Sequence, residues 1–106
     1  MRIEIPEFAL VALIGATSSG KTSFARRFFK ETEILSSDFF RGMVSDNEND
    51  QTVSKEAFDL LFYAANKRLN NMKTTVIDST NVQQNARKQS VDLARAQNVH
   101  LSLIHI

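Results

Sequence analysis

One junction constrains this chain more than any other feature. The apolar run FALVALI, residues 8–14, passes without a spacer into GATSSGKTSF, Gly15 to Phe24. An unbroken run of Phe, Ala, Leu, Val and Ile of this length is what a strand covered on both faces requires. KTSFARRFF, residues 21–29, then switches to helical spacing. The Gly- and Ser-rich stretch between them must therefore turn a buried strand into a helix within a few residues.

The rest of the chain keeps that alternation. EILSSD (33–38) predicts a short second strand, FFRGMV (39–44) a brief helix and SDNENDQ (45–51) a polar loop. A long helix is expected from about Ser54 to Leu69, with Ser54 as N-cap and Val53 stapled to Phe58. Its apolar face would be Ala57, Leu60, Leu61, Ala64 and Leu69. NNMK ends it, TTVID (74–78) is a third strand, NVQQNARKQSVDLARAQN (81–98) a further helix and VHLSLIHI (99–106) a fourth strand. Strand and helix in strict alternation predict an α/β domain with a mainly parallel sheet. Repeats, low-complexity tracts and linkers are absent.

With 106 residues and 42% hydrophobic composition, the chain has material for one core and one domain, residues 1–106. The rhythm stops on a strand with no covering helix after it. The expectation is a partial domain, incomplete on its C-terminal side, with residues 101–106 open to a reading as a non-native remnant. Net charge is +1, too small a field to announce nucleic acid or an anionic membrane by itself. The absence of cysteine excludes disulfide scaffolds, thiolate zinc sites and cysteine nucleophiles. The run FALVALI is too short to span a bilayer, and Glu4, Pro6 and Glu7 before it do not fit a secretory signal. A cytoplasmic protein without a membrane partner is the default expectation.

GATSSGKT fits G-x-x-x-x-G-K-[ST] from Gly15 to Thr22, in the strand-to-helix context that gives the pattern meaning. The fixed positions match by chance in roughly one chain of this length in a few hundred. Glycines let the backbone curl so that its N–H groups and the helix N-terminus face phosphates. Gly15, Ala16, Thr17, Ser18, Ser19, Gly20, Lys21, Thr22 and Ser23 are the expected ATP-binding residues. Lys21 would reach the β- and γ-phosphates, and Thr22 would offer its hydroxyl to Mg²⁺.

Two further blocks end in carboxylates. SSDFFRG, Ser36 to Gly42, puts Asp38 at the end of the second strand, on the sheet edge where ligands bind. Asp38 there can take a proton from an attacking hydroxyl, and Arg41, three residues on, can hold an anionic acceptor. The alternative is that Asp38 caps the helix and Arg41 is solvated. TVIDSTN, Thr75 to Asn81, closes a buried strand with Asp78, suited to orient a Mg²⁺-bound water. Here too capping is the alternative, by Asp78, Thr80 or Asn81.

Taken together, LIGATSSGKTSFARRFF, EILSSDFFRGMVSDNENDQTVSKEAFDLL and TTVIDSTNVQQNARK resemble the kinase module of bacterial polynucleotide kinase-phosphatases, a branch of the P-loop NTPases. The resemblance runs to about His100, and its specificity lies in the order of the blocks. It implies a three-layer α/β/α fold and an ATP-dependent kinase acting on the 5′-hydroxyl end of RNA or DNA. It also implies that the residue at Asp38 is general base, that Arg41 binds the phosphate next to the terminal nucleoside, and that Gln51 makes an acceptor-side contact. Family members carry a lid with an arginine after the fourth strand, often followed by phosphatase and ligase modules; the sequence contains neither. The other readings are a P-loop kinase acting on a small-molecule hydroxyl, and a nucleotide-binding piece without turnover.

Other signals are weaker. DNENDQTVSKEA departs from a calcium loop at Gln51 and Ala57. Arg26, Arg27 and Lys30 read as a solvated helix face ahead of a groove that tracks a nucleic-acid backbone. His100 and His105, an odd number of residues apart on a strand, face opposite ways. Phe8, Phe24, Phe28, Phe29, Phe58 and Phe62 are expected in the core, while Phe39 or Phe40, beside Asp38, can touch a terminal base.

Overall fold

The computed structural model describes residues 8–15, 20–79 and 84–105, without the side chains of residues 84–86. Four strands among the described residues, β1 (Ala9–Ile14), β2 (Ile34–Ser36), β3 (Thr75–Asp78) and β4 (His100–His105), form one parallel sheet in the order β2-β3-β1-β4. The helices are α1 (Lys21–Phe28), α2 (Ser37–Ser45), α3 (Ser54–Asn70) and α4 (Gln84–Gln97), with single 3₁₀ turns at Glu31–Glu33 and Gln51–Val53.

Strand order decides which face each helix covers. A parallel crossover is right-handed, so reversing its direction along the sheet moves its helix to the opposite face. The step from β1 to β2 runs one way along the sheet, while the steps from β2 to β3 and from β3 to β4 run the other way. Accordingly α1 packs Ala25 against Ala9, Val11, Leu13 and Val76 on one face. On the other, α2, α3 and α4 bring Phe40, Leu61 and Ala94 against Leu10 and Ile77. The expected α/β/α layering results, with β1 buried from both sides as its apolar run required.

Several local expectations are corrected. The second strand stops at Ser36, whose hydroxyl accepts the Phe39 amide and caps α2. Asp38 therefore neither ends a strand nor caps a helix; it lies in the first turn of α2, where a carboxylate is favoured by the helix dipole. Ser54 is not the N-cap of α3, because its backbone is already helical. The turn begins earlier, at Gln51–Val53, where the Asp50 carboxylate accepts from the Thr52 amide and hydroxyl. Those bonds, the hydroxyl's first, hold the Asp50 carboxyl below its ordinary range. The buried stripe of α3 is Ala57, Leu61, Ala65 and Leu69, a regular four-residue spacing that turns Leu60 out to the surface. Phe28 is exposed at the rim rather than buried, and Arg27 lies over its ring at 5.5 Å. β4 is a half-buried edge strand, though paired with β1 along its whole length. Thr80 and Asn81 lie outside the described residues. Among the described residues no helix is long and apolar enough to cross a membrane.

Leu61, fully buried between α3 and the sheet, tests this packing. Leu61→Ala is expected to lower stability by about 2–4 kcal/mol, read as a lower midpoint at unchanged slope in urea unfolding.

Candidate nucleotide-binding site

Register brings the site together. Asp78, the last residue of β3, pairs with Leu13 of β1 on one side and Ser36 of β2 on the other. Whatever follows those three strands must meet at a single sheet edge, and the connections leaving β1 and β3 run to opposite faces. Ligands of open α/β sheets bind at such an edge.

Gly20 opens α1 with φ of +83°, a left-handed conformation that costs glycine little. An added Cβ would meet nothing within 4 Å, so the backbone angle and not the space calls for glycine. The first turn of α1 carries no acidic residue, leaving its positive end uncompensated for an anion. Ala16, Thr17, Ser18 and Ser19 lie outside the described residues.

Lys21 is 1% exposed, and its ammonium donates to the Ser79 carbonyl at 2.7 Å and meets Asp78 Oδ1 at 3.0 Å. Thr22 Oγ1 donates to Asp78 Oδ2 at 3.3 Å. The loop lysine, the loop hydroxyl and the strand-end carboxylate thus form one cluster. The ammonium hydrogen-bonds the Ser79 carbonyl and pairs in charge with Asp78, so phosphate oxygens would add to this set or displace part of it. A hydroxyl beside a carboxylate is a hard oxygen donor pair that suits Mg²⁺, which takes one or two protein ligands and completes its shell with phosphate and water. Among the described residues no group of three or more His, Asp or Glu side chains forms a closed metal cage.

Asp38 and Arg41 are also brought together. The Arg41 guanidinium donates to Asp38 Oδ1, and its Nε donates to the Glu48 carbonyl at 2.8 Å. Arg41 is only 2% exposed, contrary to the solvated alternative. A cleft of about 570 Å³ joins Thr22 and Asp78 to Asp38 and Phe39. Neither Arg41 nor Gln51 lines it; Gln51 lies at the surface in the turn before α3, where Ser54 donates to its side chain. Arg26 does line the cleft. The Ser79 and Glu48 carbonyls were missed from sequence, and no residue type could have revealed them, since every residue carries that acceptor.

The sequence matches an AAA domain family over residues 10–106. The chain belongs to that family. This AAA domain also shares its fold with one chain of a solved structure titled "Structure of Pnkp1/Rnl/Hen1 complex", with a TM-score of 0.76 and 22% sequence identity. The likeness covers 98% of the present chain and 37% of that one. No curated protein matches the sequence. Family and fold agree with the resemblance drawn from the motif blocks, and make the chain a nucleotide-binding P-loop domain of kinase-like fold.

The Lys21–Asp78 pair gives a direct test. Lys21→Met leaves a buried carboxylate without its cation and is expected to cost about 3–5 kcal/mol. Adding Asp78→Leu should restore much of that, while ATP affinity stays lost in both variants. Thermal unfolding and nucleotide titration read the two effects, and a double variant no more stable than the single one would refute the pairing.

Proposed function

We propose that this AAA domain is an ATP-dependent polynucleotide 5′-hydroxyl kinase domain acting in nucleic-acid end repair. The observation that carries the reading is that Asp38, Thr22 and Asp78 line one cleft. A proton acceptor and the phosphate-binding cluster then share a space large enough for an acceptor end.

In the proposed reaction the acceptor oxygen attacks the γ-phosphorus and its proton passes to the Asp38 carboxylate. The new O–P bond forms as the bond to the β–γ bridging oxygen breaks, and ADP leaves. Phosphoryl transfer asks mainly for placement and charge neutralisation. Lys21 and the start of α1 supply positive charge to the phosphates. Thr22, with Asp78 through water, would hold Mg²⁺, which when bound neutralises phosphate charge. Arg41 holds the Asp38 carboxylate from the protein side, and Asp38 lines the cleft. Gln51 is also proposed as an acceptor-side contact, although it does not line the cleft. Because the chain spans 37% of the similar solved chain, assembly with phosphatase and ligase modules in a larger parent is part of the same proposal.

One observation favours a second reading, a small-molecule hydroxyl as acceptor. Arg41, the residue expected to hold an acceptor phosphate, is buried and does not line the cleft.

The decisive assay is transfer of labelled γ-phosphate from ATP·Mg²⁺ to a 5′-hydroxyl oligonucleotide, with Asp38→Ala alongside. The proposal expects transfer that falls at least a hundredfold in the variant. ATP binding without transfer to any oligonucleotide would sink it, and preferential transfer to free nucleosides or sugars would select the second reading.

A further inference from the structure

We infer that Phe39 is a stacking platform for the 5′-terminal base of the acceptor strand, an inference that rests on the polynucleotide kinase reading of the cleft. Two adjacent phenylalanines of α2 have opposite fates. Phe40 is buried in the core with Leu10, Leu61 and Ile77. Phe39 is 60% exposed and lines the cleft next to Asp38. The two rings meet nearly perpendicular, 5.4 Å between centroids and 87° between planes, so the buried ring braces the exposed one.

A single exposed apolar side chain is ordinary on a protein surface. Placement sets this one apart. An acceptor hydroxyl that reaches Asp38 brings its own nucleoside to the first turn of α2, where the neighbouring side chain is an aromatic ring held from behind. Every nucleobase offers a π face, and stacking on an aromatic side chain is tolerant of base identity. A small alcohol or sugar offers no aromatic π face to stack on Phe39, so the ring would favour base-bearing nucleic-acid ends over such acceptors. The donor base is a poorer candidate, because the phosphate loop leads into α1 whereas Phe39 and Asp38 share α2.

The test is a binding cycle that does not require turnover. Two 3′-labelled 5′-hydroxyl oligonucleotides are titrated by fluorescence anisotropy, one ending in a nucleobase and one in an abasic sugar. The native chain is expected to bind the base-bearing end about tenfold tighter. Phe39→Leu should abolish that preference and Phe39→Trp should keep it, with ATP affinity unchanged in both as evidence of intact folding. A preference that survives Phe39→Leu, or is absent from the native chain, overturns the inference. ATP affinity that falls in Phe39→Leu overturns it too, by assigning the ring to the donor base. The phosphate-transfer assay judges the kinase reading separately: transfer without a base preference sinks only the stacking role, and a base preference without transfer sinks only the kinase.

Discussion

The contact on which the site depends is the buried pair between Lys21 and Asp78. It joins residues far apart in the sequence and ties the start of α1 to the end of β3, the strand beside β1. As a device for stability it is a poor choice. Removing two charges from water costs several kcal/mol each, and well-packed apolar side chains often do as well or better. In the proposed function, such a pair at the ligand-binding edge holds a cation and a carboxylate where phosphates and a metal would be handled. The Ser79 carbonyl completes the arrangement by accepting a hydrogen bond from the ammonium, one for which phosphate oxygens would compete in the proposed function.

That pair exists because of strand order and register. Asp78 is central only because β3 lies between β2 and β1, with Ser36 and Leu13 opposite it. A slip of one residue in β3 would turn Asp78 toward the other face and carry Val76 and Ile77 out of their respective cores. The hydrophobic pattern of TTVID thus guards the position of a charged residue. Helix packing reinforces it from the far face, where Gln97 of α4 bonds to Asn66 and Asn70 of α3 and keeps the two crossovers side by side.

Much of this was legible in the chain, and what was not turned on competition between neighbouring caps and on helix direction. Long apolar or strongly periodic segments declared themselves, as β1, β3, α3 and α4 show. Gly20, Lys21, Thr22 and Asp78 were legible because a strand-to-helix turn and a strand-end carboxylate have fixed places in an α/β sheet. Competition between neighbouring caps was not legible. In SSD three residues compete to start α2, and the hydroxyl of Ser36 wins; before α3 the Asp50 carboxylate starts the turn ahead of Ser54. Each shift is small in sequence, yet the first moves Asp38 from a strand end into a helix. Phe39 and Phe40 are equally apolar, and only the direction α2 takes across the sheet decides which is buried.

Arg41 shows how such a local shift reaches chemistry. Once Asp38 lies in the first turn of a helix, a residue three positions on occupies the same side, close enough to hold the carboxylate. Burial would make an isolated guanidinium costly, but this one is engaged on two sides, by Asp38 and by the carbonyl of Glu48. The loop after α2 folds back to deliver that carbonyl, packing Glu48 against Gly42. A planar fork fixed at one nitrogen can orient a carboxylate as a flexible ammonium cannot. A misplacement of 1 Å in a reacting group can cost a hundredfold in rate. The polar loop SDNENDQ, featureless by composition, therefore contributes through its backbone to where the Asp38 carboxylate faces the cleft.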